Sequence, residues 1–207
     1  MNTSLYSNQD VNSTREIINN ALNIGSYPFI TFPHELGHAL GLKHPHDQES
    51  IYNAFPGVTP GEEGENQGGD NNLNASPWTV MTYNDLTSGN QYSPSSDEST
   101  GGFLTSLGAF DIASVQHIYG PNENYNQQDS SYFLDSNLNG YQCIWDSGGE
   151  DVINASNASS SITIDLRNAT LQNELGGGGF VSKLENSHKG FTIAYNSTGQ
   201  CIIENAI

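Results

Sequence analysis

Two histidines and a glutamate lie together in the segment HELGH, residues 34–38, with a spacing that suits a zinc site. On a helix, the imidazoles of His34 and His38 would project from one face about one turn apart, as two ligands of one tetrahedral zinc ion require. Glu35 is rotated by about 100° from His34 on such a helix, so its carboxylate can reach a water molecule beside the metal without being a ligand. The segment therefore predicts a helix that carries two zinc ligands and a general base.

A third zinc ligand is expected from the residues that follow this helix. Gly41 lets the backbone turn sharply, which carries His44 back towards the same metal. Three protein ligands leave one coordination position open, and an open position is typical of catalytic rather than structural zinc. His46 is an alternative ligand, but His44 fits the HExxHxxGxxH spacing. Because this longer pattern is far rarer by chance than HExxH alone, the sequence indicates a catalytic zinc centre.

A second element, VMTY at residues 80–83, follows the histidine segment by about forty residues. Taken alone, a methionine in an apolar segment is usually a core residue. Metzincin zinc peptidases place a tight turn at this distance, and its methionine packs beneath the three histidines. The combination predicts that Met81 does no chemistry and forms the floor of the metal site.

These motifs together resemble the serralysin branch of the metzincins. Pro45 follows the third histidine, the turn has the form Met-x-Tyr, and FDIASVQHIYG at residues 110–120 is similar to the family's DIAAIQHLYG stretch. The resemblance extends from about residue 25 to the end of the chain. It implies that the three spaced histidines bind zinc and that Glu35 is the general base. In this family the tyrosine of the turn can ligate the resting zinc and then stabilise the tetrahedral intermediate, and by that match Tyr83 has both roles.

An acidic turn further along the chain is a candidate calcium site. WDSGGED at residues 145–151 resembles the serralysin WDxGGxD turn, in which two carboxylates and a glycine carbonyl bind calcium. The resemblance implies Asp146, Gly148 and Asp151 as ligands, and Asp129 is a fourth candidate. The alternative is an ordinary acidic turn in an acidic protein. The calcium-binding nonapeptide GGxGxDxUx does not occur in the sequence.

Proline and glycine define the predicted limits of the helix that carries the histidines. Pro33 has no amide N–H, and in a continuous helix its ring would clash with the carbonyl of Phe29. We therefore expect Pro33 in the first turn of a helix that begins near Phe32, runs to about Leu40 and ends at Gly41.

The apolar pattern between residues 105 and 119 predicts a second helix, which Ser106 caps and Gly120 ends. Beyond residue 121 the pattern predicts strands and no helix. Residues 161–171 alternate as a half-buried strand does, and residues 190–195 and 200–207 are expected to form a hairpin-like pair.

These elements predict an α+β fold with a join near residues 119–122. Residues 1–120 would be the C-terminal part of a metzincin catalytic domain, with the N-terminal sheet subdomain largely missing because residues 1–25 cannot build it. Residues 121–207 would be a β-rich serralysin C-terminal domain of the β-roll type, truncated before the RTX repeats.

The two cysteines, Cys143 and Cys201, lie far apart in the sequence and form no CxxC pair. A disulfide between two late strands and a pair of free thiols are both compatible with this pattern. Cysteine content therefore leaves the redox compartment open.

The chain is strongly acidic, because 5 Lys and Arg residues against 23 Asp and Glu residues give a formal net charge of −18. Such a surface repels phosphate backbones and anionic lipids, so we expect no nucleic-acid or membrane partner, whereas divalent cations are favoured. No segment is long and apolar enough for a membrane helix, and the first ten residues lack the apolar run of a signal peptide. We expect a monomer. The resemblance implies a secreted, extracellular protein whose partners are protein and peptide substrates.

Three functions are compatible with these patterns. The first is a zinc metalloendopeptidase that hydrolyses internal peptide bonds with activated water and a glutamate base. The second is a truncated or degenerate protein that binds zinc and calcium without turnover, which the short N-terminus favours and the retention of Glu35 disfavours. The third is a β-rich interaction module with a structural zinc clip, although structural sites fill all four positions with Cys and His, and no cysteine lies near the histidines. The sequence favours the peptidase.

Overall fold

The computed structural model describes residues 23–48, 53–84 and 102–207. Within these residues the chain forms two α-helices and seven short strands, which confirms the expected α+β class. The helices are α1 (Tyr27–Ala39) and α2 (Ala109–Tyr119), and short 3-10 turns lie between them at Glu62–Gly64 and Asp70–Asn72. The strands are β1 (Ser131–Phe133), β2 (Tyr141–Ile144), β3 (Val152–Asn154), β4 (Ile162–Thr163), β5 (Ser182–Leu184), β6 (Gly190–Ile193) and β7 (Asn205–Ala206). The expectation about residues 1–25 falls almost entirely on residues 1–22, which lie outside the described residues.

Helix α1 begins at Tyr27, so the predicted start near Phe32 is wrong. Ser26 caps the helix, because its hydroxyl accepts a hydrogen bond from the amide of Phe29 at 3.3 Å. Pro33 lies inside the helix and not in its first turn. A proline inside a helix costs about 3 kcal/mol through one lost hydrogen bond and a local clash. The N-cap and the burial of one helix face offset this cost.

The end of α1 agrees with the prediction. Gly41 has a φ of +94°, in the left-handed region that favours glycine. The amide of Leu42 then donates to the carbonyl of Gly37 at 2.9 Å, which closes the last turn of the helix. The chain therefore doubles back along α1 instead of continuing away from it.

Helix α2 begins later than predicted, and Gly108, not Ser106, is its N-cap. The carboxylate of Asp111 accepts a hydrogen bond from the amide of Gly108 at 2.8 Å, so an aspartate in the first turn fixes the start of the helix. The hydroxyl of Ser106 bonds to a neighbouring backbone carbonyl instead. The helix ends at Gly120, which has a φ of +84°, as predicted.

The C-terminal part of the chain forms two sheets. Strands β1, β3 and β7 make one parallel sheet in that order, and the other has the order β2-β6-β5-β4, with β2 parallel to β6. The predicted hairpin of residues 190–195 with 200–207 is wrong, because β6 and β7 lie in different sheets. Of residues 161–171, only Ile162–Thr163 is a strand. Parallel pairing joins segments that are far apart in the chain, which local periodicity does not encode.

Two apolar clusters form the core of the described residues. The first packs α1 against the segment around Val80 and Met81 and includes Tyr141 of β2. The second lies among the strands of the two sheets and includes Ala109 of α2. Tyr141 from the β-rich part thus packs in the cluster of α1, and Ala109 from the helical part packs in the cluster of the strands. The helical and β-rich parts therefore pack against each other.

The cysteines are free, which decides between the two alternatives left by the sequence. Cys143 and Cys201 are both buried. Burial raises the pKa of the Cys143 thiol to about 12 and that of Cys201 to about 11, so both remain protonated at neutral pH. In the described part of the chain, neither helix is long and apolar enough to cross a membrane.

Candidate metal centre

Three imidazoles meet at the C-terminal half of α1, and we call His34, His38 and His44 the histidine centre. The Nε2 atom of His44 lies 3.0 Å from Nε2 of His38 and 3.2 Å from Nε2 of His34. Two of these residues are one turn apart on α1, and the reversal at Gly41 brings in the third. The structure therefore brings together the three histidines that the sequence spacing selected.

Each ring of the histidine centre makes a polar contact through its Nδ1 atom. Nδ1 of His34 donates to the carbonyl of Val80 at 2.7 Å, and Nδ1 of His38 donates to the carbonyl of Leu42 at 3.0 Å. Nδ1 of His44 lies 3.3 Å from the carboxylate of Asp47. Because carbonyls and carboxylates only accept hydrogen bonds, these contacts place the ring protons on Nδ1. All three Nε2 atoms then present lone pairs to one another.

This arrangement fits a zinc ion. Three lone pairs at about 3 Å cannot hydrogen-bond to each other, so a cation between them is the natural partner. Zinc bonds to histidine nitrogen at about 2.0–2.1 Å in tetrahedral sites, which separates the ligand nitrogens by about 3.4 Å. The observed separations of 3.0 and 3.2 Å are close to that value. Burial lowers the pKa of His44, and the neighbouring histidines lower it further against the opposing effect of Asp47, so the ring tends to stay neutral as a ligand must.

Met81 is buried and packs against α1 at Gly37. Its side chain is 2% exposed. A β-carbon at Gly37 would lie 2.5 Å from its Sδ atom, so only a glycine lets the helix approach the methionine this closely. The glycine of the HELGH segment therefore has a packing reason, and Met81 supports the helix from below without a polar contact to the histidines.

Tyr83 lies beside the histidine centre with its ring 45% exposed. Its ring centroid is 4.6 Å from that of His44 and 5.5 Å from that of His34. Burial raises the pKa of the Tyr83 hydroxyl, and nearby carboxylates raise it further, Glu65 most strongly. The hydroxyl is therefore protonated at neutral pH and available as a hydrogen-bond donor at the open side of the site.

Glu35 directly follows His34 on α1 and is exposed. Both residues line a cavity of about 460 Å³, together with Tyr83 and Glu65. This volume lies within the range of small-molecule and peptide side-chain sites. The carboxylate of Glu35 thus adjoins the histidine centre and an open space in which a substrate can lie.

Asp111 is a buried residue at this centre that the sequence reasoning missed. Its carboxylate accepts hydrogen bonds from the Thr79 hydroxyl at 2.6 Å and from the Val80 amide at 2.8 Å, besides the Gly108 amide. Burial raises its pKa to about 6, against the opposing effect of these hydrogen bonds. Because the carbonyl of Val80 holds the ring of His34, Asp111 fixes the turn that orients a ligand. Its place in the stretch similar to DIAAIQHLYG was the available signal.

His46 lies next to the histidine centre without joining it. Its ring stacks on that of His44 with 4.9 Å between centroids, and its Nδ1 atom is buried without a hydrogen-bond partner among the described residues. With His44 and Asp47 it forms a second group of ligand atoms within 4.8 Å of one another. Since His44 already belongs to the histidine centre, only His46 and Asp47 of this second group could bind another metal.

The candidate calcium residues gather around the turn after β2, and we call Asp129, Asp146, Gly148 and Asp151 the acidic turn. Asp146 and Asp151 are fully buried, and the Oδ2 atom of Asp151 has no hydrogen-bond partner in the described part of the chain. Burial raises the pKa of Asp151 to about 6, and Asp146, Glu204 and Asp129 raise it further. A buried, unpaired carboxylate oxygen among other carboxylates fits a hard cation.

Two details of the acidic turn differ from the sequence expectation. Glu204, which the sequence reasoning did not select, accepts a hydrogen bond from the amide of Asp151 at 2.7 Å. Asp129 instead accepts one from the amide of Glu150 at 3.0 Å. Among the described residues, only histidine-containing groups bring three side-chain ligand atoms within 4.8 Å of one another. The carboxylate oxygens of the acidic turn are therefore farther apart than the nitrogens of the histidine centre.

Comparison with known proteins finds relatives along most of the chain. Serralysin from Proteus mirabilis is 31% identical over 202 residues, which cover 91% of this chain and 35% of that protein. Metallopeptidase AprA from Pseudomonas marginalis is 30% identical over 202 residues, covering 89% and 39%. Serralysin from Photorhabdus laumondii is 28% identical over 178 residues, covering 79% and 34%. No protein-family model matches the chain. The chain spans about a third of the length of these curated relatives.

Proposed function

The chain is serralysin-like over most of its length, and we propose that it carries the catalytic centre of a zinc-dependent metalloendopeptidase. The observation that carries this proposal is the convergence of three imidazoles beside Glu35 and an open cavity, with Nε2 of His44 at 3.0 and 3.2 Å from the other two Nε2 atoms. The relatives of the chain include a metallopeptidase, which supports the same reaction class.

The residues of the histidine centre would hold the zinc ion, and Tyr83, whose ring centroid lies 4.6 Å from that of His44, would be a further ligand. When bound, zinc would act as a Lewis acid that makes water more acidic and polarises a carbonyl. The hydrogen bonds from Nδ1 of His34 and His38, together with the contact of His44 Nδ1 with the Asp47 carboxylate, orient the three Nε2 atoms towards one another.

Glu35 would act as the general base. Its carboxylate accepts a proton from the attacking water and then delivers that proton to the nitrogen of the leaving amine, while the C–N bond breaks. The side chain lines the cavity next to His34, which is where a scissile bond would have to lie. Without this proton transfer the leaving group would depart as an unstable amide anion.

The hydroxyl of Tyr83 would donate a hydrogen bond to the oxygen that gains negative charge on the scissile carbonyl. It is exposed at the cavity and it is a phenol at neutral pH, so it can donate. Met81 has no chemical role in this account and supports α1 from below.

The wider assignments belong to the same proposal. Residues 1–120 would be the metzincin catalytic part, and residues 121–207 a β-roll-type part in which the acidic turn binds structural calcium. The buried, unpaired oxygen of Asp151 supports the calcium site. The substrates would be extracellular proteins, cut at internal peptide bonds by a secreted, monomeric enzyme that binds neither nucleic acid nor membrane.

The test is cleavage of casein by the purified chain in zinc and calcium, with bound zinc measured in every sample. Glu35→Ala removes the base, and Glu62→Ala removes an exposed glutamate of another loop as the matched control. The proposal expects cleavage by the wild-type chain and by Glu62→Ala, inhibition by a zinc chelator, and no cleavage by Glu35→Ala with its zinc retained. Zinc binding without cleavage in any sample would favour a zinc-binding protein without turnover. Failure to bind zinc would refute the proposal.

A further inference from the structure

The cavity beside Glu35 has an apolar wall. Tyr27 and Ile30 contribute to it from α1, and Val80 contributes from the turn that holds His34. The cavity has a volume of about 460 Å³, which can accommodate a long side chain. An extended aliphatic stem could therefore lie along this wall and exclude water from it.

The same cavity is lined by two glutamates, Glu35 and Glu65, and its described lining residues include neither lysine nor arginine. A zinc ion held by His34, which also lines the cavity, would offset the charge of Glu35 and leave Glu65 as the remaining negative charge. The nearest basic residue in sequence, Lys43, lines a different cavity. The formal net charge of −18 adds to the negative potential at this position.

The loop that carries Glu65 is fixed by hydrogen bonds of Gln67, two residues further along the chain. The side-chain carbonyl of Gln67 accepts a hydrogen bond from the amide of Thr59 at 2.8 Å, and its backbone carbonyl accepts one from the side chain of Asn74 at 2.7 Å. Asn84, which directly follows Tyr83, donates to the carbonyl of Asn74 at 2.8 Å. This chain of contacts ties the loop that carries Glu65 to the tyrosine of the candidate active site.

We propose that this cavity selects substrates with a lysine or arginine next to the scissile bond, and that Glu65 is the specificity-determining residue. The inference rests on the proposed peptidase function and names the substrate class of that site. The aliphatic stem of the basic side chain packs on the apolar wall, and its charged end lies at Glu65. An acidic side chain would be repelled there, and an uncharged one would desolvate the carboxylate without pairing it.

The experiment compares three peptides that differ only at the residue on one side of the scissile bond: lysine, norleucine or glutamate. Norleucine keeps the aliphatic stem of lysine and removes its charge. A second set places the varied residue on the other side of the bond, and a third moves the lysine three positions away. We expect kcat/KM for the lysine peptide to exceed that for norleucine by about fivefold, the size of one partly screened ion pair. The preference should appear at one adjacent position only and weaken with salt.

Two variants test whether Glu65 causes the preference for lysine. Glu65→Gln should remove it, whereas Glu62→Gln, which removes an equal charge from the same loop away from the cavity, should keep it. Equal values of kcat/KM for the lysine and norleucine peptides, or an equal loss in both variants, would overturn the inference.

The affinity of the same peptides, made with a reduced scissile bond that cannot be cleaved, tests the selectivity independently of the proposed peptidase function. Tighter binding of the lysine peptide, lost in Glu65→Gln alone, supports the selectivity even if no peptide is cleaved. Cleavage of all peptides with equal binding contradicts the selectivity and leaves the peptidase proposal intact.

Discussion

The histidine centre and the acidic turn are both clusters of candidate metal-binding side chains, but they differ in how closely their ligand atoms approach one another. In the histidine centre, Nε2 of His44 lies within 3.2 Å of both partner nitrogens, and each ring is anchored at Nδ1. In the acidic turn no three carboxylate oxygens of the described residues approach within 4.8 Å, and one oxygen of Asp151 is buried without a partner.

Charge explains this difference. Neutral imidazoles repel each other only through their lone pairs, so a few hydrogen bonds at Nδ1 can hold them together. Two carboxylates at 4 Å repel each other by about 4 kcal/mol at an effective dielectric constant of about 20. Close approach of the ligand atoms therefore costs little free energy for neutral imidazoles and much more for carboxylates.

The largest expected effect concerns the chemistry at the histidine centre. Glu35→Gln should lower kcat by about 10²–10⁴-fold, because a general base contributes that much, and should leave zinc affinity unchanged. Peptide cleavage and zinc content measured on the same sample check this prediction. A loss of zinc together with activity would mean that Glu35 helps to form the histidine centre and is not only a base.

The second effect concerns the support of that centre. Asp111→Ala should lower the free energy of unfolding by about 4 kcal/mol, because it leaves two buried amides and a hydroxyl without their acceptor. It should also weaken zinc binding by about 10–100-fold through the turn that orients His34. Urea unfolding and competition with a zinc-binding dye measure the two effects. Unchanged zinc affinity in the variant would show that the histidines need no bracing from α2.

A third prediction concerns the contribution of Asp111 to the pH dependence of the free energy of unfolding. Its folded-state pKa of about 6 exceeds the ordinary value of 3.8, so the folded chain binds more protons than the unfolded chain between these values. The free energy of unfolding should therefore fall by up to about 3 kcal/mol as pH rises from about 4 to about 6. Asp111→Asn should remove this step while keeping the shape of the side chain. Identical pH profiles for both chains would contradict the assignment.

The acidic turn gives a fourth prediction, which sharpens the contrast with the histidines. Calcium at about 100 times its dissociation constant should raise the free energy of unfolding by about 2.7 kcal/mol. Asp151→Asn should abolish this gain, because it removes the carboxylate with the unpaired oxygen. Thermal unfolding with and without calcium measures the effect, and Glu174→Gln, at an exposed position, is the control. Stabilisation of the Asp151 variant equal to that of the control would exclude the acidic turn as the site.

The smallest effect concerns the packing beneath α1. Gly37→Ala should cost about 1–2 kcal/mol of stability, because its β-carbon would meet Met81 at 2.5 Å and the methionine must move. The combined variant with Met81→Ala should recover part of the loss, since it removes the clash. Unfolding curves of the two single variants and the double variant test this. Strictly additive losses would mean that the two side chains do not meet.

The sequence predicted the histidine centre well because its information is local. His34 and His38 need only one helical turn between them, and Gly41 makes the reversal that returns His44. The start of α1 was predicted wrongly, because the argument from Pro33 counted the cost of the proline and not the burial of the helix face that offsets it. Local spacing thus predicted which histidines come together better than it predicted the start of the helix that carries two of them.

Residues that act across long distances in the chain escaped prediction. Asp111 reaches Val80 across 31 positions, and Glu204 reaches Asp151 across 53, and neither contact has a local pattern. The assumed hairpin of residues 190–195 with 200–207 failed for the same reason, since β6 pairs with β2 and β7 with β3. Such pairings follow from the packing of the whole chain and not from the periodicity of one segment.

The central claim is that His34, His38 and His44 form one zinc site, and zinc titration of the metal-free chain tests it most directly. Wild type, His38→Ala and His117→Ala would be compared, since His117 is exposed on α2 and lies away from the site. The account predicts one tightly bound zinc ion per chain for wild type and His117→Ala, and loss of tight binding in His38→Ala. A wild-type chain that binds no zinc, or a His38 variant that binds it as tightly as the His117 variant, would contradict the account.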